Sequence, residues 1–122
     1  MEKEMQLSPL SLAYLGDAVI EIIIRKKLVS GSLTKPALLH KKAIQYVSAT
    51  AQSTALDNIL PILTEEELAF YKRGRNAKNT APKSTDICHY KRATGFECLF
   101  GFLAIRDQTQ RIEQLINLAY NF

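Results

Sequence analysis

Asp17 and Glu21 carry carboxylates into the most apolar stretch of the chain, Leu12-Ala13-Tyr14-Leu15-Gly16-Asp17-Ala18-Val19-Ile20-Glu21-Ile22-Ile23-Ile24-Arg25. On a helix, positions four apart share a face, so the two acids stand one above the other. A carboxylate in such surroundings costs free energy unless it is paired, protonated or bound to a cation. A buried salt bridge, a helix-packing hydrogen bond and a metal ion would each meet that need.

The elements that must position these acids read as helices. The first runs from about Pro9 to Leu28: Ser8 can cap it, Pro9 suits its first turn, and Gly31 lies just past its end. Val19, Ile20, Ile22, Ile23 and Ile24 point nearly all the way round it, which predicts cover on more than one side. After a turn at Ser30-Gly31-Ser32, Thr34 and Pro36 announce a second helix. There Leu38, Leu39, Ala43, Ile44 and Val47 form a candidate buried stripe, with Lys41, Lys42 and Gln45 toward water. Ser48 opens a third helix carrying Ala51, Ala55, Leu56, Ile59 and Leu60, closed by Pro61. Thr64-Glu65-Glu66-Glu67 has the form of a capping box and starts a fourth, reaching about Lys72. A polar loop from Gly74 to Lys83 follows. The fifth helix spans about Asp86 to Ile105, and Asp107 with Gln110 caps a last one through Leu115, Ile116, Leu118 and Ala119. No alternating pattern suggests strands, so the expected class is all-α.

With 122 residues the chain makes one domain, 1–122, with a real core. Its 47% hydrophobic and 23% charged residues are the balance of a soluble globular protein. Met1 to Gln6 are polar and mixed in charge, which argues against a secretory leader. Glu21 and Arg25 interrupt the best apolar run well short of the roughly 20 residues a membrane span needs. Cys88 and Cys98 form no CxxC pair, so free core thiols in a reducing cytoplasm are expected. With His40 and His89 they match no common zinc spacing. Tyr14, Tyr46, Tyr71, Phe96, Phe100 and Phe102 read as packing.

The net charge of +4 is local. Lys72, Arg73, Arg75, Lys78, Lys83, Lys91 and Arg92 face a single acid, Asp86, between residues 72 and 92, while the rest of the chain is slightly acidic. A basic patch on a near-neutral body is how a phosphate backbone is usually met.

The segment Leu15-Gly16-Asp17-Ala18-Val19-Ile20-Glu21 resembles the signature of the ribonuclease III domain. Thr94-Gly95-Phe96-Glu97-Cys98-Leu99-Phe100-Gly101 looks like that domain's second acidic helix. Lys72-Arg73-Gly74-Arg75-Asn76-Ala77-Lys78 resembles the basic loop of its Mini-III branch, as do Leu39-His40-Lys41-Lys42 and Val47-Ser48-Ala49. The similarity covers nearly the whole chain, without a double-stranded-RNA-binding domain after it. It implies a helical endonuclease that cuts double-stranded RNA as a homodimer with magnesium, and a role in maturing the large-subunit (23S) ribosomal RNA precursor in the cytoplasm. It places Asp17 and Glu97 on the family's metal ligands. The chain also departs from the wider family. Leu10 and Ala13 stand where carboxylates precede the signature aspartate by seven and four residues, and Thr94 stands where another aspartate precedes Glu97 by three.

Two carboxylates remain a sufficient holder, because magnesium takes one or two and fills its other positions with waters and substrate phosphate. That requires the first and fifth helices to pack face to face, which Gly16 and Gly101 would permit. Glu21 and Thr94 are expected around the ligands, Glu21 either on a metal-bound water or a second ion or equally paired with a basic side chain. Arg73, Arg75 and Lys78 are the leading RNA contacts, with Lys41, Lys42, Lys83, Lys91 and Arg92 behind them. Duplex RNA is read by shape, phosphates and 2′-hydroxyls, so stacking residues are not required. A two-fold contact along the first helix would place two sites across one duplex, leaving 5′-phosphate ends. A ribosomal protein on the precursor is a further candidate partner. The rival reading is a catalytically silent helical module that binds ribosomal RNA, a role that needs no Asp17 and Glu97 pair. A third, a protein-interaction domain, predicts no salt-dependent RNA binding.

Overall fold

Ser8 caps the first helix as the sequence suggests: its hydroxyl accepts the Leu10 N–H at 3.2 Å, and Pro9 fills the first turn. In the computed structural model, which describes residues 6–31 and 35–122, that helix is α1, Pro9–Val29. It is followed by α2 (Pro36–Val47), α3 (Ala49–Asp57), a 3-10 turn (Leu60–Ile62), α4 (Glu65–Arg75), α5 (Ile87–Ile105) and α6 (Thr109–Tyr120). Six helices and no strand are found among the described residues, so the all-α class holds. Ser32 and Thr34 lie outside them. No described helix is long and apolar enough to cross a membrane.

α5 is the axis of the molecule. Ala93 to Phe96 and Cys98 to Leu103 are all buried, because α1, α3, α4 and α6 surround the helix. Phe96, Phe100 and Phe102 project from it into the core, where Phe102 stacks on Phe70 of α4 with ring centroids 3.8 Å apart. A helix that is apolar all round belongs in such a central position.

Caps set the ends of the layer around it. Ser48 closes α2 and opens α3, accepting the Ala51 N–H at 3.2 Å. The capping box at α4 is complete, with Glu67 N–H on Thr64 Oγ1 at 3.1 Å and Thr64 N–H on Glu67 Oε1 at 2.9 Å. Arg111 of α6 grips the same Glu67 carboxylate through two nitrogens, each at 2.8 Å. Burial pushes Glu67 up, but the Arg111 and Thr64 bonds outweigh it and hold the carboxyl below its usual range.

Several local expectations are corrected. α4 continues past Lys72 to Arg75, because Gly74 is a packing residue rather than a terminator. A Cβ built on Gly74 would stand 2.4 Å from Cys98 Cβ. Asp107 does not cap α6. It adopts φ 54 and ends α5, with its N–H on Ala104 O and the Gln108 N–H on Leu103 O, so Gln108 begins α6 without a side-chain cap. In α2 only Ala43 is fully buried, while Leu38 and Ile44 are about half exposed. Leu118 of α6 is likewise 44% exposed, and Cys88 is exposed while Cys98 is a core thiol. Tyr14 is not packing within the chain: it stands 85% exposed on α1, with Ile22 and Val29 also open to solvent.

Candidate active and metal site

Asp17 and Glu97 come together where α1 crosses α5. Two glycines set that crossing. A Cβ on Gly16 would lie 1.8 Å from the Glu97 carbonyl oxygen, and one on Gly101 would lie 1.8 Å from the Leu12 carbonyl oxygen. Neither distance is possible for real atoms, so the helices meet backbone to backbone only because both positions lack side chains. Leu12, Gly16 and Ile20 line the buried face of α1, and Asp17, next to Gly16, emerges at its edge. Asp17 is exposed; Glu97 is half-buried among α1, α3 and α6.

The two carboxyl groups are within hydrogen-bonding reach of each other. Burial first, and then the neighbouring Asp17 charge and hydrogen bond, push Glu97 up to about 8. Like charges so close are held apart in energy unless a proton or a cation lies between them. A proton or a cation could each relieve the pair. Among the described residues no cluster of three or more histidine, cysteine, aspartate or glutamate side chains forms, and Asp17 and Glu97 are the two carboxylates that could hold an ion here. Two hard oxygen donors that cannot both ionise comfortably alone fit magnesium, which takes one or two carboxylates and keeps its waters.

The remaining candidate residues are placed as follows. Glu21 pairs with Arg25, one turn on along α1, at 3.0 Å. Thr94 is buried and its hydroxyl donates back to the Tyr90 carbonyl at 2.9 Å. Arg73 and Arg75 lie in the last turn of α4, not in a loop. Arg73 is half-buried, donates to the Leu7 carbonyl at 3.0 Å and stands over the Phe70 ring; Arg75 stands over the Tyr71 ring. Lys78 and Lys83 are exposed on the segment between α4 and α5, and Lys41 is exposed on α2, where Lys42 is half-buried. Arg92 is tied to α3, donating to Ser53 Oγ at 2.8 Å and to Asp57.

Two neighbours of Glu97 escaped the sequence reading. Gln52 of α3 is 1% exposed, with its amide beside the Glu97 carboxyl. Tyr120 of α6 packs edge-on to Phe96 and donates its hydroxyl to the Tyr46 carbonyl at 2.7 Å. Burial and the nearby Glu97 charge both favour its protonated form. The signal for Gln52 was available: it shares a helix face with Ala55, Leu56 and Ile59, and a lone amide on an apolar stripe needs a reason.

Sign and size of the Glu97 shift give a measurable consequence. The folded protein holds this proton up to about pH 8, whereas the unfolded chain releases it near 4.5. Stability from that group is thus full below the unfolded value and is lost as pH rises toward 8, at up to about 1.4 kcal/mol per pH unit. In EDTA the melting temperature should fall from pH 5 to pH 8, and Glu97→Gln should flatten that fall. A melting temperature in EDTA that rises across the same window in the wild type and is unaltered by Glu97→Gln would contradict it.

The ribonuclease III domain matches residues 10–108 of the chain. A protein of Enterococcus faecalis named Mini-ribonuclease 3 is 51% identical over 120 residues, spanning 96% of this chain and 91% of that one. The Mini-ribonuclease 3 of Symbiobacterium thermophilum is 43% identical over 97% of this chain and 92% of its own. A Fusobacterium nucleatum protein solved by X-ray crystallography superposes with a TM-score of 0.85 at 34% identity, covering 95% of this chain and 93% of that one. Carrying the signature segment on α1 and the acidic segment on α5 in one crossing, the chain belongs to the ribonuclease III domain family, in its Mini-ribonuclease 3 branch.

Proposed function

We propose that this chain is a magnesium-dependent endoribonuclease that cuts double-stranded RNA as a homodimer of single-domain 1–122 subunits. Its substrate is the large-subunit (23S) ribosomal RNA precursor in the cytoplasm, with a ribosomal protein on that precursor as a further partner, and its products carry 5′-phosphate and 3′-hydroxyl ends. The observation that carries this reading is the meeting of Asp17 and Glu97 at a glycine-lined crossing. A silent RNA-binding module would gain nothing from such an unfavourable pair. Family membership and the names of the relatives support the activity.

Magnesium bound to the pair supplies an activated water and charge relief at the scissile phosphate. The chain's residues do the rest. Glu97, anchored on the central helix, would hold the ion together with Asp17. Asp17, exposed at the edge of α1, leaves the approach open on its own side. Lys78 and Lys83 are free to meet phosphates from the segment before α5. The dimer is supported by the outer face of α1: Tyr14, Ile22 and Val29 are large apolar groups left in water, and a second copy would cover them.

The test is incubation of the purified protein with end-labelled duplex RNA, with magnesium and with EDTA. Discrete fragments bearing 5′-phosphates are expected only with magnesium. Duplex that is bound in a salt-dependent way but stays uncut at every magnesium concentration would leave the silent module as the correct reading.

A further inference from the structure

Among the described residues Gln52 is the most deeply buried of the buried polar side chains, at 1% exposure, and from α3 its amide lies beside the Glu97 carboxyl. The side chain interacts with the Glu97 carboxyl, yet its Nε2 completes no hydrogen bond with any group of the described residues. A buried amide donor left unmatched costs about 1–3 kcal/mol, so its retention asks for a state in which it is matched. Its neighbours do not offer one. The adjacent Ser53 hydroxyl is already engaged by Arg92 and His89, at 2.8 and 3.0 Å. The Tyr120 hydroxyl is committed to the Tyr46 carbonyl. Ala55 and Leu56, one turn on, are apolar. What remains within reach is Glu97.

We propose that Gln52 is a positioning residue for the metal site, its spare Nε2–H donating to the Glu97 carboxylate oxygen that is turned away from the cation. This rests on Asp17 and Glu97 being the metal ligands. A carboxylate has two oxygens and several acceptor directions, and binding an ion through one leaves the other to be oriented. Gln52 suits that task because it is held on a rigid helix and cannot be displaced by solvent. Partners of this kind fix a ligand's orientation, and their removal typically costs 10–100-fold in metal affinity. Thr94, at which the sequence first places such a role, spends its hydroxyl on the Tyr90 carbonyl.

The experiment titrates Mn²⁺ into the protein and reads free ion by electron paramagnetic resonance, for wild type, Asp17→Asn, Gln52→Met and Gln52→Leu. Both Gln52 variants keep a similar volume and bury no unmatched donor, so they should melt at or above the wild-type temperature in EDTA. Two are used so that one folded variant suffices. The expected result is an Mn²⁺ dissociation constant raised tenfold or more in the Gln52 variants, with kcat at saturating metal and KM for duplex RNA changed much less. A folded Gln52→Met or Gln52→Leu protein that binds Mn²⁺ as the wild type does would overturn the proposal while leaving the ligand pair standing. Wild-type affinity in Asp17→Asn would overturn the ligand pair itself, and the role of Gln52 with it.

Discussion

Asp17→Asn should cost at least about 10³-fold in single-turnover cleavage of duplex RNA, and it should do so in a protein that is folded and slightly more stable than the wild type. The first half follows from what the ion contributes: charge relief and water activation are worth several kcal/mol of barrier, and each 1.36 kcal/mol is about tenfold in rate. Asp17 and Glu97 are the proposed holders of the ion, and among the described residues no larger cluster of ligating side chains stands by to replace one of them. The second half follows from electrostatics. Asp17 is exposed at the helix edge, so its side chain supports little packing. Its charge is one of the causes that keep the Glu97 proton in place, so neutralising it relieves the pair. Melting in EDTA at pH 8 reads the stability, and cleavage under magnesium reads the activity. An Asp17→Asn enzyme that cleaves like the wild type would end the nuclease assignment to this site. A variant that is inactive because it has unfolded would instead show that Asp17 is a structural residue.

The helices and their caps were legible because their chemistry is local. Ser8, Ser48 and Thr64 cap as their spacing suggests, since each needs only the backbone two or three residues on. Glycine was harder to read. Gly74 looks like a stop signal in isolation, and only the approach of α5 shows that it is a contact surface. Asp107 looks like a cap for α6 for the same reason, although the left-handed turn that ends α5 claims it first. At the site, the meeting of Asp17 and Glu97 was legible through resemblance and through the oddity of acids in an apolar run. Tyr120 was not, and Gln52 was legible only as an odd amide on an apolar stripe, because each reaches Glu97 across the core from another helix and spacing along the chain does not report such distances. Arg73 and Arg75 illustrate the opposite error. Their charge suggested a free loop, whereas their place in the last turn of α4 and over aromatic rings shows that much of each side chain is anchored.

Gly16→Ala should rank with Gly101→Ala among the most damaging conservative substitutions at the described residues. The new methyl would need to occupy the position of the Glu97 carbonyl oxygen, 1.8 Å away, and neither partner is a flexible side chain that could swing aside. The helices must therefore part by more than an ångström, which loosens α1 from the central helix along its buried face. Overpacking of this kind costs about 1–3 kcal/mol where cores can adjust, and a clash of two backbones belongs at or beyond the upper end. At roughly 3–5 °C per kcal/mol for a domain of this size, a drop of about 10 °C or more in melting temperature is expected. Gly31→Ala supplies the control. There the methyl would lie 3.3 Å from the Leu28 carbonyl oxygen, at the end of α1 rather than in a crossing, and no positive φ is involved. Its effect should stay within about 0.5 kcal/mol. The same parting of helices draws Asp17 away from Glu97, so Gly16→Ala should lose Mn²⁺ affinity at temperatures where it is still fully folded. Wild-type melting together with wild-type Mn²⁺ affinity in Gly16→Ala would mean that the α1–α5 crossing is looser than its backbone contact requires, and the site would then owe its geometry to something other than the two glycines.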